Sequence, residues 1–102
     1  MSDRLVIDEV DATCFALRGE IDAHTAPSLH AHLESLPPGT DDVTIDMADI
    51  AFVDSTGLHV LIELDRRFGG DGDGRLVLRR PSRAVLRLLD VTGLEDHFTI
   101  VH

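Results

Sequence analysis

The chain has 102 residues, a formal net charge of −10, and nine basic residues, all of them arginine. That length fits one domain with a working core and leaves no room for a second. The acidic field repels nucleic-acid backbones and anionic membranes, and with no Trp or Tyr and only four Phe there is no stacking platform for single-stranded bases. The charge fits a partner with a basic face, or solubility alone.

Leu5-Val6-Ile7 and Thr13–Leu17 are short apolar runs separated by Asp8-Glu9-Val10-Asp11. They predict a hairpin of two strands, with Gly19 ending the second. Ala26, Leu29, Leu33 and Leu36 form one stripe at helical spacing. Pro27 suits its first turn, Thr25 or Asp22 its cap, and Pro37-Pro38-Gly39 its stop. Val43–Met47 alternates like a strand, and Ala51-Phe52-Val53 reads as a second short one.

The period then changes. Leu58, Leu61, Ile62, Leu64 and Phe68 share a helical face closed by Gly69-Gly70. Gly69–Gly74 is a turn by composition. Arg75–Arg79 predicts a strand, and Ser82 caps a third helix that buries Val85, Leu86, Leu88 and Leu89 and ends at Gly93. Phe98–Val101 is a last strand or a docked tail. Strands alternating with helices predict an α/β fold, a mixed sheet with helices packed on it, over residues 1–102.

Cys14 stands alone in an apolar run, which predicts a buried, inert thiol. The start of the chain lacks the basic-then-apolar pattern of a secretion signal, and no apolar run is long enough for a bilayer. A cytoplasmic protein is the simplest expectation.

The most informative stretch runs from Asp46 to Leu61. It places Asp54-Ser55-Thr56-Gly57 where a strand hands over to a helix. Amides of a first helical turn have no internal acceptors, so a hydroxyl there caps the helix, and a phosphate there meets free N–H groups and a favourable dipole. From the residues alone, both readings of Ser55 and Thr56 stand: cap or modification site.

Asp54-Ser55-Thr56-Gly57-Leu58, with Asp46–Val53 before it, resembles the signature of STAS-domain anti-sigma factor antagonists. Gly19–Pro27 and Val85–Leu94 resemble two further segments of that family, in the same order, and the likeness covers nearly the whole chain. The resemblance implies a STAS-like fold and a partner switch rather than an enzyme. Ser55, directly after the motif aspartate, is the implied phosphoacceptor. The implied partners are an anti-sigma factor that is also a serine kinase and binds its own ATP, and a phosphoserine phosphatase. The unphosphorylated form holds the kinase and frees the sigma factor; the phosphorylated form lets go.

The implied partner-binding set is Asp22, Asp54, Ser55, Thr56, Gly57 and His59. Asp22 has a structural alternative as a helix cap, and Asp54 as a turn residue. His59 departs from the family, which has Gly or another small residue there. It stands one turn beyond Ser55 on the same face, with a solvated side chain as its plain alternative. A second function also fits the resemblance: a STAS accessory subunit of a lipid-transport ATPase, or a ligand-sensing signalling module.

Rival chemistries fail on residues. A serine hydrolase elbow needs Gly at position 53, where Val stands. A receiver domain needs a lysine, and the chain has none. The Asp-Ser-Thr-Gly order is one residue out of step with aspartic proteases. Asp71 and Asp73 lack the remaining ligands of a calcium loop. His30 and His32 are two apart on a predicted helix and point to different faces. No metal site and no cofactor are expected, and the default oligomeric state is a monomer.

Overall fold

The computed structural model describes residues 5–36, 42–69 and 76–102. The Pro37-Pro38-Gly39 stop, the turn from Gly70 to Gly74, Arg75 and the side chain of Phe68 lie outside the described residues. The elements run β1 (Leu5–Asp11), β2 (Cys14–Ile21), α1 (Ala26–Glu34), β3 (Val43–Val53), α2 (Ser55–Gly69), β4 (Leu76–Arg79), α3 (Arg83–Thr92) and β5 (Thr99–Val101). Five strands form one sheet in the order β1-β2-β3-β4-β5. β1 is antiparallel to β2, and every later pairing is parallel. This is the mixed α/β sheet the alternation of patterns predicts.

The parallel strands need covered faces because each crossover carries a helix over the sheet. Leu76, Val77 and Leu78 are buried in succession. Successive side chains on a strand point to opposite faces, so β4 is covered on both. α1 packs beside α2, and α3 lies on β3. Phe15, Leu17 and Ile21 from β2 meet Leu29 and Leu33 of α1, Ile45 and Met47 of β3, and Leu61 and Leu64 of α2 in one buried cluster.

Two boundaries differ from the sequence expectation. β2 continues past Gly19 to Ile21, with Gly19 at φ 112 inside the strand. β3 is one strand of eleven residues, where two short ones were expected. Its buried positions are Val43, Ile45, Met47, Ile50 and Val53, so the two-residue spacing twice becomes three. The pairing with β2 slips at the same places, between Ala16 and Arg18 and between Gly19 and Glu20. Each slip inserts an extra residue on β3, as a bulge does. The second turns Phe52 outward, where it is 48% exposed.

Local polar contacts fix the remaining ends. The Ser82 hydroxyl donates to the Ile50 carbonyl at 2.6 Å and accepts from the Val85 amide, so the expected cap also ties α3 to β3. Gly93 ends α3 with φ 73, which a glycine adopts without strain. Asp46 of β3 is bridged by the Arg80 guanidinium, and its carboxylate also accepts from the Ala48 amide. Cys14 is half-buried and forms no disulfide, less enclosed than expected.

Candidate functional site

The site begins where β3 ends. Val53 pairs with Ile21 at the last rung of the β2–β3 ladder. One residue on, the Asp54 amide donates to the Ile21 carbonyl at 3.0 Å. The Asp54 carboxylate turns back and accepts from the Gly57 amide at 2.9 Å, while the Asp54 carbonyl accepts from the Leu58 amide at 2.9 Å. Asp54 is therefore the cap of α2. Ser55 and Thr56, either of which the sequence offered as the cap, are exposed residues of the first turn. Their hydroxyls make no hydrogen bond among the described residues.

Gly57 is buried because the helix start presses on the end of β2. A Cβ at that position would stand 2.6 Å from the Ile21 carbonyl oxygen. No other residue type allows the two backbones to come this close. The Asp-Ser-Thr-Gly order thus has a local logic: the first residue caps, the last lets the helix seat, and the middle two face solvent.

The second loop lies at the C-terminal end of β2, the neighbouring strand. The Asp22 carboxylate accepts from the amides of His24 at 2.9 Å and Thr25 at 3.0 Å. Thr25 is buried, and its hydroxyl donates to the Glu20 carbonyl at 2.8 Å and accepts from the Asp22 amide at 3.0 Å. Thr25 occupies the cap position of α1, but its hydroxyl is turned back to β2 and does not cap the helix. The Asp22 carboxylate braces the turn before α1, so neither side chain that the sequence offered as the cap of this helix caps it. Ile21 touches both loops, as the residue before Asp22 and as the support under Gly57.

His59 is exposed on α2, and it is not alone. Its Nε2 lies 2.9 Å from Glu63 Oε1. The other oxygen of Glu63 is 3.5 Å from His30 Nε2 on α1, and His30 Nδ1 is 2.9 Å from Glu34 Oε2. A chain of alternating imidazoles and carboxylates therefore crosses the seam between α2 and α1. Sequence reading singled out His59 and His30 separately. The link went unseen because Glu63 belongs to a face whose neighbour is set by tertiary packing. His32 points elsewhere, edge-on to the Phe15 ring at 5.4 Å. Among the described residues no group of three His, Cys, Asp or Glu side chains is placed to hold a metal ion.

An apolar groove of about 310 Å³ opens beside the site, lined by Phe52, Val53, Ala84, Arg87, Leu88 and Val91. It exists because the β3 bulge swings Phe52 out toward α3. No described helix is long and apolar enough to cross a membrane.

The family model described as "Mlab, STAS domain" matches residues 7–102. The anti-sigma-B factor antagonist of Bacillus subtilis (strain 168) is 38% identical over 80 residues, which is 78% of this chain and 72% of that protein. Among solved structures, an anti-sigma factor antagonist from Mycobacterium paratuberculosis superposes with a TM-score of 0.75 at 24% identity, over 95% of this chain and 83% of the other. The anti-sigma factor antagonist SpoIIAA shares the fold in its unphosphorylated form, with a TM-score of 0.70 at 19% identity over 96% and 88% of the two chains. Its phosphorylated form gives a TM-score of 0.65 at 18% identity over 96% and 91%. The chain belongs to the STAS-domain family, among the anti-sigma factor antagonists.

Proposed function

We propose that the domain is a partner-switching regulator whose switch is Ser55. Unphosphorylated, it binds an anti-sigma factor that is a serine kinase and so frees the sigma factor. The kinase transfers the γ-phosphoryl group of its ATP to Ser55 Oγ. The new O–P bond forms as the bond to the β–γ bridging oxygen breaks, ADP leaves, and the hydroxyl proton passes to a base of the kinase. A phosphoserine phosphatase hydrolyses the ester and resets the switch. The domain is the substrate of these steps and catalyses neither.

The observation that carries this reading is the division of labour at the helix start. Asp54 caps α2, so the Ser55 hydroxyl is exposed and has no structural duty to give up. Asp22, Asp54, Ser55, Thr56, Gly57 and His59 form the proposed contact surface, with Asp22 and Gly57 shaping it from within. Phosphoserine adds roughly −1.5 to −2 charges at that surface. Charges about 4 Å apart interact by about 4 kcal/mol at an effective dielectric near 20. Half of that, turned against binding, weakens affinity more than tenfold. The switch is placed in the cytoplasm and acts as a monomer facing its partner.

A pull-down from native lysate with Ser55→Ala and Ser55→Glu baits, read by mass spectrometry, tests the reading. The expected result is an ATP-binding kinase retained by Ser55→Ala and lost by Ser55→Glu. If both baits hold the same partner, Ser55 is not the switch. If that partner is a set of transporter subunits, the domain is an accessory subunit of a transport ATPase.

A further inference from the structure

A phosphate on Ser55 would arrive at a helix start that is partly occupied. The Gly57 amide is bound by the Asp54 carboxylate, which also brings a negative charge beside the serine. The dipole that favours an anion at this point is therefore partly answered before phosphorylation. A second anion needs a cation close by. From Asp54 to Ile62 the sequence offers one side chain able to carry positive charge, His59.

The geometry suits it. Residues four apart on a helix are surface neighbours, roughly 5–6 Å between Cβ atoms. Helical side chains also lean toward the N-terminus, which tilts His59 toward Ser55. One imidazole nitrogen, Nε2, is held by Glu63 at 2.9 Å. The other, Nδ1, has no partner among the described residues. Glu63 is itself held from α1 by His30, which is held by Glu34. Among the described residues the ion pairs of His59 run to Glu63 on its own helix and, through it, to His30 and Glu34 on α1. With Nε2 on Glu63, the ring leaves Nδ1 available for a second partner.

We infer that His59 is the internal counter-ion of phosphoserine 55, held in place by the Glu63–His30–Glu34 chain. It is a positioning residue for the modified state and takes no part in the transfer. In the phosphorylated domain the order of groups is phosphate, imidazole, carboxylate, imidazole, carboxylate, so each ring sits between two anions. The new charge is then partly neutralised at its source and held against α2. This inference rests on the reading of Ser55 as the phosphoacceptor, and its test does not need a kinase.

Phosphoserine is incorporated at position 55 during translation, and the second ionisation of the phosphate is followed by phosphorus NMR. A neighbouring cation stabilises the dianion, so the midpoint falls. It is expected about half a pH unit lower in the native chain than in His59→Gln, a small shift because the pair is exposed. His59→Lys is expected to restore the lower midpoint. Equal midpoints in the native chain and His59→Gln would overturn the inference. His59 is 70% exposed, so neither substitution threatens folding. Failure of the partner switch shows instead as a phosphorylated domain that keeps its partner, whatever the phosphate titration gives.

Discussion

The α-carbon of Gly57 rests against the end of β2: a Cβ there would lie 2.6 Å from the carbonyl oxygen of Ile21 and 2.7 Å from its Cγ2. Both neighbours are fixed, one by the backbone and one by the core, where Ile21 is fully buried. Gly57→Ala must therefore push the start of α2 off the sheet. Overpacking of this kind costs about 1–3 kcal/mol. Urea unfolding is expected to show that loss, and an unchanged midpoint would mean the contact is looser than described.

The assignment of the cap predicts an asymmetry between adjacent residues. Asp54→Ala removes the acceptor of the Gly57 amide and is expected to cost about 1 kcal/mol. Ser55→Ala removes an exposed hydroxyl with no described partner and should stay within about 0.5 kcal/mol of the parent. Thermal denaturation of the two variants checks this. The reverse order would return Ser55 to a capping role and weaken the case for a switch.

Thr25 predicts a cost out of proportion to its size. Thr25→Val keeps the shape but leaves the Glu20 carbonyl and the Asp22 amide without the hydroxyl that serves both. Losing two part-buried hydrogen bonds of this kind costs about 1–3 kcal/mol. The same variant should loosen the Asp22 loop, seen as faster amide exchange at residues 22–25.

Two carboxylates should respond to acid in opposite senses. Burial alone would raise the Asp46 carboxyl, but the hydrogen bond from Arg80, the Ala48 amide and the charges of Arg80 and Arg79 outweigh it and hold the group below its ordinary value. A depressed carboxyl stabilises the fold above its unfolded value of about 3.9, and that contribution fades as pH falls through the folded value. Asp65 is raised by burial, which His97 and the Leu76 amide only partly counter. Its contribution favours the fold below about pH 3.9 and is lost as pH rises through the raised value. Asp46→Asn is therefore expected to destabilise at pH 7 and much less at pH 3, and Asp65→Asn to be neutral or stabilising at pH 7. Unfolding curves at the two pH values separate them.

The fold was legible where one physical pattern dominated. Ser82 and Gly93 bracket α3 as expected because capping and a left-handed end are local chemistry. The stripe Ala26, Leu29, Leu33 gave α1 because three core positions recur on one face. β3 was read as two pieces because its alternation breaks at Ala48 and Asp49, and a bulge looks in sequence like an ending. For the same reason Ala51-Phe52-Val53 read as an apolar run, while the bulge sends Phe52 out. At the site, the sequence named the loop but not its cap, since Asp, Ser and Thr are all good caps and only the backbone path chooses among them. The His59–Glu63–His30–Glu34 chain needs two helices side by side, which no single-helix pattern records.

The turn bearing Ser55 is anchored at both levels, by the Asp54 amide on β2 and by a glycine seated against the same strand. Any enzyme acting on this serine meets a rigid corner assembled from residues more than thirty positions apart. It reads a three-dimensional surface, and a short peptide copied from the Ser55 region would lack the half supplied by β2. If Ser55 is the phosphoacceptor proposed above, its modification is coupled to folding, because an unfolded copy presents no such corner.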